Sequence, residues 1–257
     1  MDKDLKFLSE LTSKELHSLA SAVIGCEYTD LLHKSFEANS SCEKYYPDHK
    51  RYLNFVAEQI QKVGCSSVGN FFRGGKGTSY AELVSKCARD VKVPSDGPSW
   101  SIERRIIAAA AATMLEEAYT ESDSFDQDVR YVINNTSLGP IVKAIQKEDY
   151  INDHEALAVA IRVMLDQGGI ESYKIAVTVA SSVVLCFLDP YSVKLGFGKK
   201  AIIRKLDQCL PGAGLVDGDW KGDAENCPGV VVILAGTLRL LARMKEQNLV
   251  DELGDPL

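Results

Sequence analysis

The residues whose types and spacing could do chemistry gather in three places. The first is Arg73-Gly74-Gly75-Lys76-Gly77. A phosphate-cradling loop needs a glycine, four residues, then Gly-Lys-Ser/Thr after a strand, so that backbone amides wrap the phosphates. Gly69 and Gly74 keep that spacing, but Gly75 stands where the lysine belongs and no strand pattern precedes it. The stretch reads as a glycine-permitted turn between helices. Arg73 and Lys76 could still hold an anion at the N-terminus of the next helix. The second place is Asp217-Gly218-Asp219-Trp220-Lys221-Gly222, which has acids at the first and third positions of a calcium loop and glycine at the sixth. Lys221 puts a cation where an oxygen ligand is required and Pro228 takes the place of the bidentate glutamate, so a solvated acidic loop is expected.

The third place holds Glu148, Asp149, Asp153, His154 and Glu155. Helical di-metal sites use Glu-x-x-His pairs that project inward, and the chain contains none. Acids near a helix start are stabilised by its dipole without a metal. The four histidines, at 17, 33, 49 and 154, lack familiar zinc spacing. There is no Gly-x-Ser-x-Gly elbow and no local cysteine–histidine signature. The expectation is a protein without catalytic residues, metal or cofactor.

The elements that must position any site are helices. Thr12 with Glu15 makes a capping box ahead of Leu16, Leu19, Ala20, Val23 and Ile24, a run that Gly25 stops. Tyr52, Leu53, Val56, Ile60 and Val63 lay down a second apolar face, closed by Gly64. A short helical turn is expected at 68–72 and a helix from Ser79 with Leu83, Val84, Cys87 and Val91 inward. Pro94 to Pro98 cannot continue a helix, and this reads as a hinge. Ser101 to Tyr119 is helical, with Ala108 to Ala112 at the top of the propensity scale. Glu121 to Asp128, four acids without a base, is expected to be a solvated connection. Weaker helical patterns lie at 128–132 and 141–145, and Asp153 is expected to cap a helix ended by Gly168-Gly169.

Two uncharged apolar runs, Ile175 to Leu188 and Val230 to Leu238, dominate the second half. The first is rich in β-branched residues, yet the 171–188 segment is far longer than the usual strand of about five or six residues, so it is expected to be a helix. Between the runs, 190–206 carries Lys194, Lys199, Lys200, Arg204 and Lys205 and no acid. This apolar–basic–apolar segment is either built on buried central helices of a bundle, apolar nearly all round, or inserts at a membrane surface while its basic part meets anionic headgroups. Charges that stand only at the ends of the runs, Glu171, Lys174, Arg239 and Arg243, favour buried bundle helices. Pro228 opens a last helix reaching about Glu246.

Composition narrows the function classes. The chain has 257 residues, of which 46% are apolar and 25% charged, ordinary values for a globular protein. Its net charge of −7 argues against general nucleic-acid binding, which depends on neutralising phosphates. Neither half is basic: residues 1–150 carry 18 Lys and Arg against 22 acids, and the rest 11 against 14. Seven cysteines without a CxxC pair suit reduced thiols used as small hydrophobes. The first residues lack the pattern of a signal peptide, and neither apolar run reaches the roughly 20 residues of a membrane span. A cytoplasmic protein is expected, with peripheral contact at the inner membrane as the alternative.

Several stretches resemble one family. They are Asp4-Leu5-Lys6-Phe7-Leu8 with Ser13 to Ala20, Ala57 to Gly64, Arg73 to Gly75 with Tyr80-Ala81-Glu82-Leu83, Ser101 to Ile107, and Pro228 to Val231 with Leu238-Arg239. Together they resemble the YaaW-like bacterial proteins, a group labelled as related to ubiquinol–cytochrome c chaperones, most closely over residues 4–120. The resemblance implies a helical bacterial cytoplasmic protein and brings no catalytic residue with it. The acidic loop at 211–227 replaces a glycine-rich apolar stretch of that family.

The expected fold is all-α, with a small N-terminal helical module at 1–93, a Pro/Gly hinge at 94–100 and a larger bundle at 101–257 around one buried apolar helix. The expected function is that of a non-enzymatic interaction protein, an adaptor or chaperone-like binder. Its protein partner would meet Val68, Phe71, Phe72, Arg73 and Lys76, and self-association is compatible with this. The alternative is a membrane-acting effector of stress or defence, using Lys194, Lys199, Lys200, Arg204 and Lys205 within 170–245. An enzyme with an unrecognised site is a further alternative.

Overall fold

A computed structural model describes residues 1–25, 39–63, 77–121, 125–149, 151–188 and 227–249. Every element in them is helical: η1 (Lys3–Glu10), α1 (Ser13–Gly25), α2 (Ser40–Tyr45), η2 (His49–Tyr52), α3 (Leu53–Val63), α4 (Tyr80–Asp90), α5 (Ser99–Glu121), α6 (Phe125–Asn135), α7 (Leu138–Asp149), α8 (Asp153–Gln167), α9 (Ile170–Leu188) and α10 (Cys227–Glu246). The two labelled η are 3-10 turns. Side chains set where the helices begin. Thr12 N donates to Glu15 Oε2 at 2.7 Å while Glu15 N donates to Thr12 Oγ1 at 3.3 Å, the reciprocal box read from the sequence. Ser79 and Glu82 do the same for α4.

At α8 the box is made by Asn152 and Glu155, so Asp153 is the first helical residue and not the cap. That helix ends on Gly168, whose φ of 76° lies in the left-handed region that favours glycine. The segment expected to be a solvated connection ends differently too. Phe125 is buried and opens α6, with Asp126 and Asp128 in its first turn, where the helix dipole welcomes them.

The chain forms two compact units, one of Met1–Glu103 with Asp223–Leu257 and the other of Arg104–Gly222. In the first unit α10 packs on η1, α1, α3 and α4. Val230 to Ala235 are all buried, on every side of the helix, because neighbours surround it. Burying one Val, Leu or Ile side chain contributes about 1.5–3 kcal/mol, and here five stand in a row, Val230 to Leu234, before Ala235. The sequence reading places this helix in the C-terminal bundle; its apolar surface is instead covered by the N-terminal helices. The 94–100 segment, between α4 and the start of α5, lies within the first unit.

In the second unit α8 packs on α6, α7 and α9. Helix α9 confirms the length argument over the β-branched composition. Ile175, Ala176, Val179, Ala180 and Val183 are buried, and none of its described side chains is exposed.

Candidate functional site

The most tightly built polar site lies in the first unit. Helix α5 begins with an apolar stripe, Ile102 and Ile106, and Glu103 comes inward with it, 1% exposed. Helix α10 brings Arg239 to the same point. Arg239 Nε donates to Glu103 Oε2 at 2.8 Å and Nη2 donates to Oε1 at 3.0 Å, a two-pronged pair. Nη2 also donates to the carbonyl of Asp4. The guanidinium lies over the Phe7 ring, 4.2 Å from its centroid, and 5.9 Å from that of Tyr80. Burial raises the Glu103 carboxyl above its ordinary range even though Arg239 opposes it.

Tyr80 is fully buried against this pair. Burial, then the negative charge of Glu103, holds its phenol protonated. Its hydroxyl makes no hydrogen bond of ordinary geometry among the described residues. A sealed ion pair beside a protonated phenol joins three helices; it exposes no nucleophile to a substrate. The buried thiols of Cys42 and Cys87 are equally quiet. Burial pushes the Cys42 thiol up to about 11 and that of Cys87 to about 12, so neither is a thiolate near neutrality.

Around η2 a second constellation forms. His17 Nδ1 lies 3.0 Å from His49 Nε2, and His49 Nδ1 lies 2.7 Å from the Tyr52 hydroxyl. Sequence spacing separates the two histidines by 32 positions and gives no sign of this meeting. Burial, then the neighbouring His17, lowers the His49 pKa, with Asp48 opposing. Burial raises that of Tyr52 to about 12.

Of the acidic group near the start of α8, Asp153, His154 and Glu155 have structural partners. Asp153 accepts from Gln146 Nε2 at 2.7 Å and pairs with Arg130 at 3.5 Å. Glu155 completes the cap, and His154 stacks on the Tyr119 ring at 4.4 Å. Among the described residues no group of three or more His, Cys, Asp or Glu could hold a metal ion.

Val68, Phe71, Phe72, Arg73 and Lys76 lie outside the described residues, as do Lys194, Lys199, Lys200, Arg204, Lys205 and the 211–226 loop. The described residues that flank 64–76 are held together. Thr78 N donates to Gln61 O at 3.1 Å and Gln61 Nε2 donates to Thr78 O at 3.1 Å. Gly77 is pressed against the Gln61 backbone, where a Cβ would stand 2.5 Å from the carbonyl carbon.

Comparison with known proteins places a likeness beside this geometry. A "UPF0174 protein" of Helicobacter pylori (strain J99 / ATCC 700824) is 26% identical over 257 residues, covering 96% of this chain and 94% of that protein. A "UPF0174 protein" of Helicobacter pylori (strain ATCC 700392 / 26695) is 25% identical over 211 residues, 79% of this chain and 95% of its own. No family model matches the chain, and no solved structure does. The chain is thus an all-α protein similar to UPF0174 proteins.

Proposed function

We propose that the protein is a non-enzymatic adaptor or chaperone-like binder of the bacterial cytoplasm, which takes hold of a protein partner through the 64–76 segment. Val68, Phe71 and Phe72 supply the apolar contact, with Arg73 and Lys76 beside them. The observation that supports this reading is the clamp between the residues that flank the segment in sequence. Gln61 and Thr78 exchange two hydrogen bonds, and Gly77 leaves no room between them, so the chain returns to α3 next to where it left. A base fixed in this way lowers the ordering cost of presenting contact residues. The chaperone relation implied by the YaaW-like resemblance belongs to this proposal.

The test is affinity capture with the tagged chain from its own cytoplasm, in parallel with Phe71→Ser/Phe72→Ser. A stoichiometric partner lost in the variant, with thermal unfolding unchanged, supports the reading. A partner retained at full yield refutes it. The membrane-acting reading is separated by vesicle co-sedimentation at low salt, where screening is weakest. It requires binding to anionic vesicles that Lys199→Ser/Lys200→Ser/Arg204→Ser/Lys205→Ser abolishes. Among the described residues no helix is long and apolar enough to cross a membrane, and none of the described side chains of α9 is exposed.

A further inference from the structure

Tyr52, His49 and His17 form a chain that leads from the interior to the surface. Tyr52 and His49 are buried, and His17 is exposed. The two histidine ring centroids stand 5.3 Å apart, which is their 3.0 Å nitrogen separation extended by one ring radius at each end. The contact is therefore head-on, as in a hydrogen bond. Two nitrogens about 2.0–2.1 Å from one tetrahedral metal ion would stand farther apart than this.

One proton fits between His17 Nδ1 and His49 Nε2. With both rings neutral, the chain runs in either direction: Tyr52 O–H to His49 Nδ1 and His49 Nε2–H to His17, or the reverse. A proton taken up by exposed His17 fixes the direction. His17 Nδ1–H must then donate, His49 Nε2 must accept, and the proton of His49 sits on Nδ1 and donates to the Tyr52 oxygen. A second proton, on His49, sets two N–H groups face to face and the link is lost. We propose that this chain is a pH-sensitive latch between η2 and α1, which the first proton orients and the second opens.

The surroundings fit a latch whose second step comes late. The η2 turn packs on α1, α2 and α3. From α1 the facing group is His17, whose charge opposes a second proton, as burial does. From η2's own cap comes Asp48, which favours it but is already engaged by Ser13 Oγ and Arg51 Nε. Cys42 of α2 faces Tyr52, and the Tyr46 ring meets His49 edge-on at 5.8 Å. No titratable group of α3 has a described contact with His49. Ser13 Oγ also accepts from Lys50 N at 3.2 Å, so the seam keeps a link that does not titrate in the histidine range.

The test is ¹⁵N NMR of the histidine rings in the full chain, with amide exchange, as pH falls through the histidine range. His49 should stay neutral, with its proton on Nδ1, until the pH lies below the ordinary histidine range. Amide protection in α1 and η2 should drop only when His49 is protonated. His49 protonating within or above the ordinary range, or protection indifferent to its titration, would overturn the proposal. His17→Phe should bring His49 back up toward the ordinary range, and Tyr52→Phe should remove the dominance of the Nδ1–H form. An unchanged His49 in either variant refutes the latch, and the wild-type titration decides even if a variant fails to fold.

Discussion

The two units hold themselves together by different kinds of contact. In the first, the polar links join residues far apart in the chain: Arg239 to Glu103 across 136 positions, Arg239 to Asp4 across 235, Lys245 to Glu15 across 230. In the second, the links among the described residues span less: Gln146 to Asp153 across 7, Ser172 to Met164 across 8, and at most Arg104 to Asp166 across 62. Closing a long loop costs more chain entropy than closing a short one, and local contacts form sooner. The first unit therefore depends on a few charged, geometrically exacting contacts made by α10, whereas the second depends on caps and on helices packed against their neighbours in sequence.

The largest break in that comparison is expected from Arg239→Met. It leaves the Glu103 carboxylate buried without its partner, which costs about 3–5 kcal/mol in such pairs. Hydrogen exchange should show protection lost in η1, α1, α4 and α10 and kept in α6 to α8. Equal loss in both units would mean that the contrast in contacts does not translate into separate stabilities. The double variant Glu103→Met/Arg239→Met should recover most of the loss, since a buried pair replaced by apolar groups of similar volume is often neutral. Gly77→Ala comes next. Its Cβ meets the Gln61 backbone, which cannot yield as a flexible side chain would, and overpacking of this kind costs about 1–3 kcal/mol. Urea unfolding followed by circular dichroism measures it.

The second unit is probed by Asn152→Ala, which removes the cap of α8. Loss of an asparagine cap costs about 1 kcal/mol. Because α8 packs on α6, α7 and α9, the decrease in protection should spread through those helices and spare α10. A loss as large as that from Arg239→Met would show that the second unit is no more locally built than the first.

These contrasts also explain how much was legible in the residues themselves. Helices and caps were, because Thr12 with Glu15 and Ser79 with Glu82 are local signals that act within one turn. The all-α class and the helical state of α9 followed from period and length. The position of α10 did not, because its apolar run matches either unit and only tertiary packing chooses. Each half of the buried pair left a trace, a glutamate on the stripe of Ile102 and Ile106 and an arginine at the end of an apolar run, but nothing in one sequence pairs them. The same holds for His17 with His49. Gln59 was hidden in another way. It lies beside Ile60 in α3, is fully buried, and its amide makes no hydrogen bond among the described residues. A periodic pattern assigns a face by majority and cannot flag one polar side chain that turns inward.

The smallest effect is expected from mild acid, and it belongs to the first unit alone. The His49 pKa lies below its ordinary value of 6.5 in the fold, chiefly through burial and next through His17. In the unfolded chain the ring regains the ordinary value, so below that pH the unfolded state binds more protons and stability must fall with pH. The contribution of neutral His49 is thus complete above 6.5 and is lost as pH drops through the folded-state value. Asp48 acts further down. Its carboxyl is held below 3.8, first by the Ser13 hydroxyl, and that contribution disappears only as pH falls through the lowered value. Unfolding midpoints in urea, measured stepwise from neutral pH, should therefore decline in two separate windows. His49→Phe should flatten the upper one and leave the lower in place. An upper window that persists in His49→Phe would show that it does not belong to His49.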